Sequence, residues 1–160
     1  MAQTFTIADG TSITWKPTGG TYSFNVTGLA TASMFQGASG DLGASRTALY
    51  TAVLQTKFVS APTTGTVVRL ALAWSIDGIT FSAGLSGTAG AVTNLGKINQ
   101  LDELRFLSAD GSTGVQLIAM NIRPKARYVL PVLYNVSGIA LSSTAADHCF
   151  TLVPQTETVT

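Results

Sequence analysis

An all-β chain, folded as an antiparallel β-sandwich of jelly-roll type, is what this sequence predicts. Three observations carry the prediction. Large apolar residues recur at every second position in five separate segments, the period of strands with one buried face. Gly, Pro, Asp and Ser turn signals divide these segments at short intervals. No stretch keeps a helical period for long. The implied architecture is a single domain over residues 1–160, with long Gly/Ala/Ser-rich loops and at most one short helix;. The first twenty or so residues read as an extended arm.

The elements follow in chain order. Tyr22, Phe24 and Val26 open the alternation, and Ala48, Tyr50, Ala52 and Leu54 repeat it, with Phe58 beyond them. Residues 68–76 place Val68, Leu70, Leu72, Trp74 and Ile76 on one face, with Arg69, Ala71, Ala73 and Ser75 between them. Trp74 is therefore expected in the core. Asn99 to Phe106 is the one candidate helix, with Leu101 and Leu104 on one side;. Ile118, Met120 and Ile122 form a further face, as do His148, Phe150 and Leu152. Tyr128 to Val136 is apolar on both faces, so it is a central strand or one whose second face meets a partner;. Asp9-Gly10, Asp77-Gly78 and Asp110-Gly111 suit tight turns with positive φ;. The segments 27–45 and 81–96 are nearly uncharged, Gly/Ala/Ser-rich and expected to be loops, functional or ordered by a partner;.

Composition narrows the function. Only 11% of the 160 residues are charged while 46% are hydrophobic; roughly a quarter charged is usual. A surface this poor in charge suits a domain that works packed against other protein. The net charge of +1 gives no long-range preference for nucleic acid or a membrane;. No apolar run approaches the ~18 residues of a membrane-spanning helix. The opening residues lack the basic and apolar regions of a secretory signal, so none is expected. A lone Cys149 excludes an internal disulfide and fits synthesis in a cytoplasm;.

Catalytic and metal-binding material is thin. His148 and Cys149 are neighbours on a strand, so their side chains point to opposite faces and form no nucleophile–base pair;. One His and one Cys do not build a tetrahedral zinc site, and no calcium-loop spacing surrounds Asp102 and Glu103;. Neither phosphate-binding glycine motif is present. Trp15, Trp74, Phe81 and Tyr128 are the candidates for a sugar-stacking platform, against which Trp74 has the parity of a core residue. No cofactor and no enzymatic activity are expected.

One charge cluster stands out. Arg123, Lys125 and Arg127 alternate, so in an extended segment all three cations share a face. Pro124 and Pro131 place the segment at an edge or a strand entrance;. These three residues are the candidate contact with an acidic surface of a partner protein, since three cations without interleaved aromatics make a poor nucleic-acid site.

Several stretches carry a family resemblance over about residues 40–154. They include Asp41-Leu42-Gly43-Ala44-Ser45-Arg46, the run from Lys57 to Thr66, Leu72-Ala73-Trp74-Ser75, Leu85-Ser86-Gly87, the run from Ala126 to Asn135, and Phe150-Thr151-Leu152-Val153-Pro154. In these the chain resembles the small β-sandwich virion proteins of tailed bacteriophages that decorate or cement the capsid shell. The resemblance implies a jelly-roll-like subunit, often trimeric, seated on the major capsid protein at the virion exterior after assembly in the host cytoplasm. It brings no catalytic residues. The stretches Trp74 to Phe81 and Ala126 to Val129 are also similar to pieces of discoidin-like carbohydrate-binding sandwiches, which implies a sugar- or receptor-binding tail or fibre module as the alternative. The two readings differ in surface. A cement subunit exposes a broad, flat, apolar or Thr/Ser-rich face. A sugar module presents a concave site with two aromatics.

Overall fold

Alternation decides which faces meet, and the computed structural model, which describes residues 5–65, 67–108 and 110–159, shows two sheets packed through the even-numbered faces of β6, β7, β12 and β14 and the odd-numbered faces of β2 and β13. The strands are β1 (Phe5–Asp9), β2 (Ile13–Lys16), β3 (Tyr22–Ser23), β4 (Ser33–Gln36), β5 (Gly40–Asp41), β6 (Leu49–Thr56) and β7 (Val67–Ser75). They continue as β8 (Thr80–Phe81), β9 (Leu85–Ser86), β10 (Gly90–Val92), β11 (Asp102–Ser108), β12 (Gln116–Ile122), β13 (Tyr128–Asn135) and β14 (Cys149–Val159). Helix among the described residues is confined to short 3₁₀ turns at Ser82–Gly84, Leu95–Gln100 and Ala145–Asp147.

The first sheet runs β12-β6-β14-β2-β3, with β1 also on β14. The second runs β10-β4-β13-β7-β11, with β5 also on β13. The antiparallel pairs β2·β14, β4·β13, β6·β12 and β7·β11 nest one inside the next along the chain. That nesting is a long hairpin wound around a barrel, the jelly roll. The first residues are no arm. β1 and β2 lie end to end along β14, and residues 1–4 fall outside the described residues.

The sandwich core holds Trp15, Tyr50, Leu54 and Phe150 from the first sheet and Val68, Leu70, Leu72, Trp74, Val129 and Leu133 from the second. Full burial of such side chains stabilises by about 1.5–3 kcal/mol each. Trp15 has no exposed surface, and its Nε1 donates to the Ala38 carbonyl at 2.8 Å. Its indole lies flat against the backbone of Gly40 in the opposite sheet, where any Cβ would overlap the ring.

Five expectations change. Asn99 to Phe106 is not one helix: Asn99 and Gln100 end the 3₁₀ turn Leu95–Gln100, and β11 begins at Asp102 and pairs with β7. Leu104 packs into the sandwich core, whereas Leu101 packs on the far side of the second sheet. A three-residue spacing that reads as one helical side thus serves two strand faces. The segments 27–45 and 81–96 are not simple loops either. They supply β4, β5, β9 and β10, ordered by this chain's own sheet. β7 has two buried faces, because Ala71 and Ala73 are covered as fully as Leu72. Ile76 is 86% exposed despite its parity, since β7 ends at Ser75 and the chain turns there. Among the Asp-Gly pairs, Gly78 and Gly111 have positive φ, while Gly10 does not and instead donates to Pro154 as the chain steps from β1 to β2.

Pro131 occupies a central strand, against the expectation of an edge. Its carbonyl accepts from Gly37 N at 2.8 Å. Backbone N and C=O of one residue point the same way in an antiparallel strand, so its hydrogen-free nitrogen faces the gap between β4 and β5. No ladder bond is lost. Pro154 repeats the device on β14, accepting from Gly10 N at 2.8 Å in the gap between β1 and β2.

The Gly40 contact generates a stability prediction. Gly40→Ala should lower the urea midpoint, by about 1–3 kcal/mol in the range of core overpacking, with the slope unchanged. Gly90→Ala has open space at its Cβ and should stay within about 0.5 kcal/mol of the parent. Equal midpoints for the two variants would show that Trp15 moves aside freely.

Candidate interaction surfaces

The outer face of the second sheet is closed by the chain itself. Met34, Ala71, Ala73, Leu130 and Val132 are covered by Phe81, Leu85, Val92 and Ile98. Gln36 holds the cover in place, its Nε2 donating to the Ser86 and Thr88 carbonyls at 2.6 Å each. Lys97 Nζ donates to the Gly84 carbonyl at 3.0 Å. This explains why β13 is apolar on both sides. It is a central strand between β4 and β7, and its second face is met by the β8–β9 hairpin and the 95–100 turn. That strand therefore gives no reason for a partner.

The outer face of the first sheet is different. Strand register aligns its outward residues in rows: Leu117, Gln55 and Cys149, then Ala119, Val53 and Thr151, then Asn121, Thr51 and Val153. None is charged. Gln55 touches the 145–147 turn, its Nε2 donating to the Ala146 carbonyl at 3.2 Å. All nine are at least partly exposed, with Leu117 at 62%. Charge returns at the margins, with Lys16 on β2 and with Asp9 on β1, which accepts from Gln155.

The Arg123–Arg127 cluster does not form a strand face. Residues 123–127 are a bend between β12 and β13, which lie in different sheets. Two of its cations are met within the chain. Arg127 Nε and Nη2 grip Asp41 Oδ1 and Oδ2 at 2.8 and 2.7 Å, and the guanidinium stands 5.1 Å from the Tyr128 ring centre. The Arg127 hydrogen bond, helped by Gly43 N, lowers the Asp41 pKa to about 2. Lys125 Nζ pairs with Asp102 Oδ1 at 2.8 Å, and Asp102 Oδ2 accepts from Trp74 Nε1 at 3.2 Å. Arg123 is exposed and shares a shallow cleft with Arg46. Neither has an acid partner among the described residues.

Beside this bend stands a rigid turn. Asp77 Oδ1 accepts from Ile79 N and Thr80 N at 2.9 and 3.0 Å and from Ser75 Oγ at 2.7 Å. The Ser75 bond is the main cause of its pKa falling to about 2. The turn displays Ile76 and Ile79, both largely exposed. Strand parity gave no warning of this tip; the Ser75 and Asp77-Gly78 turn residues were the available signal.

His148 is buried and held at both ring nitrogens. Nε2 lies 2.8 Å from the Ser142 carbonyl and Nδ1 3.0 Å from Thr56 Oγ1. A carbonyl only accepts, so the proton sits on Nε2 and the threonine hydroxyl donates to Nδ1. Cys149 faces outward, its Sγ 3.2 Å from Thr151 Oγ1. The two side chains thus diverge, as strand alternation requires. Among the described residues no three of His, Cys, Asp and Glu stand close enough to hold a metal ion. The clefts beside Leu49 and Gln155, beside Gln36 and Lys97, and beside Gln55 and His148 contain no aromatic side chain. Of the four aromatics considered for sugar stacking, Trp15, Trp74 and Phe81 are buried, and Tyr128 lies under Gly78 and Arg127.

No protein-family model matches the chain, and no curated protein matches it.

Burial of His148 lowers its pKa below the ordinary 6.5. Above that value the imidazole is neutral in both folded and unfolded chains, and its buried bonds stabilise fully. As pH falls below it, the unfolded chain takes up a proton that the folded chain refuses, so stability drops. The urea midpoint should therefore decline between pH 7 and pH 5, and His148→Gln should flatten that decline. An equal decline in both proteins would assign the effect to other groups.

Proposed function

We propose that this chain is a structural virion protein that decorates and cements a phage capsid, seated on the major capsid protein at the shell's exterior and acting by binding alone. The supporting observation is the uncharged outer face of β12, β6 and β14, whose rows of Leu, Val, Ala, Thr, Asn and Gln are at least partly exposed. The facing sheet shows that this fold can cover an apolar surface with its own loops when none is to be left open. A flat face of this kind suits a broad protein surface, with neither the concavity nor the paired aromatics of a sugar site. The Arg46 and Arg123 cleft adds a cationic margin for an acidic rim on the shell;. Lys125 and Arg127 hold the β12–β13 bend to Asp102 and Asp41, and they join that contact only through their exposed flanks. Low overall charge supports self-association, including the trimer that the family resemblance implies.

Binding to purified empty shells of the encoding phage tests the reading. Wild type should saturate the shell at a fixed stoichiometry. Val53→Arg and Thr51→Arg place unpaired charge on an outward, half-exposed position and should weaken binding at least about tenfold, with the far-ultraviolet circular dichroism of a β protein retained. Arg46→Gln with Arg123→Gln should bind modestly less and lose most of the salt dependence. Shells that take up the face variants as readily as wild type, or that take up no wild type, overturn the proposal.

A further inference from the structure

Among the described residues each sheet ends in strands with a sheet neighbour on one side only, and such edges are ordinarily blunted;. Most edges here are. β3 has two residues and β10 three. β1 ends in Asp9. β11 carries Asp102 and Glu103, and its register slips between Glu103 and Arg105. β12 has none of these devices. Its seven residues, Gln116 to Ile122, keep an unbroken register along β6 and include no charge, no proline and no bulge. Ile118 and Met120 face the core yet are only partly buried.

We propose that β12 pairs antiparallel with β12 of a second copy of this chain, about a two-fold axis through Ala119. The strand is self-complementary in that register. Ala119 meets its own copy, Leu117 meets Asn121, and Ile118 meets Met120, so no like charges are opposed on either face;. The inner pairs set the partly buried Ile118 and Met120 of the two copies against each other. The outer pairs join two uncharged faces into one continuous sheet. An isologous contact of this kind closes after two subunits and leaves no further edge of the same type exposed. The inference stands on the edge geometry and does not depend on the capsid reading.

Charge exchange at Ala119 tests it, since the residue is exposed and its replacement leaves the core intact. Sedimentation at micromolar concentration and low salt should show a wild-type dimer. Ala119→Lys and Ala119→Glu, each alone, should raise the dimer dissociation constant about tenfold or more through like charges set opposite each other. Mixing the two variants should restore the dimer. In a Cys149→Ser background, Ala119→Cys should give a disulfide-linked dimer on mild oxidation. Leu117→Cys, which faces Asn121 in this register, should not. A monomeric wild type, an oligomer indifferent to both charge variants, or a mixture no tighter than either variant alone overturns the proposal.

Discussion

The fold turns on the contact between Trp15 and Gly40. The two residues lie in opposite sheets, and the indole rests on bare backbone where any side chain would overlap it. Its Nε1 bond to Ala38 fixes the depth of insertion. Tyr22 and Phe150 tilt against the ring at 5.2 and 5.5 Å, and the Tyr22 hydroxyl oxygen accepts from Asp41 N at 3.0 Å. One side chain therefore sets the spacing of the sheets, the path of residues 37–41, and the position of Asp41. Asp41 in turn holds Arg127 and so the bend that carries the chain between sheets. Packing at the core and electrostatics at the surface are linked through two residues of β5.

A second constraint is the need to interrupt sheet edges without breaking the strands between them. β13 and β14 each take two successive neighbours on one side, β5 then β4 and β1 then β2. A proline sits at each change of neighbour, with a glycine opposite. A Cβ on Gly37 would stand 2.9 Å from Pro131 Cγ, and one on Gly10 would stand 3.3 Å from Pro154 Cβ. The imide nitrogen asks for no partner where none is available, and the glycine lets the neighbouring backbone close in. Proline usually signals an edge. Here it signals a gap in the edge of the strand beside it.

Sequence alone carried the layers of the fold and few of its long-range pairings. Period-two spacing identified the inward faces of β6, β7, β12 and β14 because each packs on one continuous core. It failed where a second constraint acted on the same residues. Leu101 and Leu104 satisfy a helical spacing, yet they serve opposite faces of a strand that β7 recruits. Ala71 and Ala73 read as solvent-side residues until the β8–β9 hairpin and the 95–100 turn are laid over them. The cations at 123, 125 and 127 were visible, but their acid partners were not. Asp41 lies 86 residues before Arg127, and nothing local joins the two. The uncharged face was legible only as composition; strand register was needed to gather it on one side.

The placement of the acids gives the chain's low charge its meaning. Asp9, Asp41, Asp77, Asp102, Glu103, Asp110 and Asp147 all accept hydrogen bonds or pair with cations inside the molecule. They cap turns, hold bends and fasten strand ends. Arg69, Lys57, Lys125 and Arg127 answer four of them. Lys16, Arg46 and Arg123 have no acid partner among the described residues. Asp9, Asp77 and Asp110 keep their charge, since their hydrogen-bond donors are neutral, so unpaired charge of both signs lies around the uncharged rows and not across them. Such a surface resists few neutral partners, and its margin discriminates by sign. The rows from Leu117 to Val153 supply contact area, while Arg46 and Arg123 favour an acidic neighbour at one end of the sandwich.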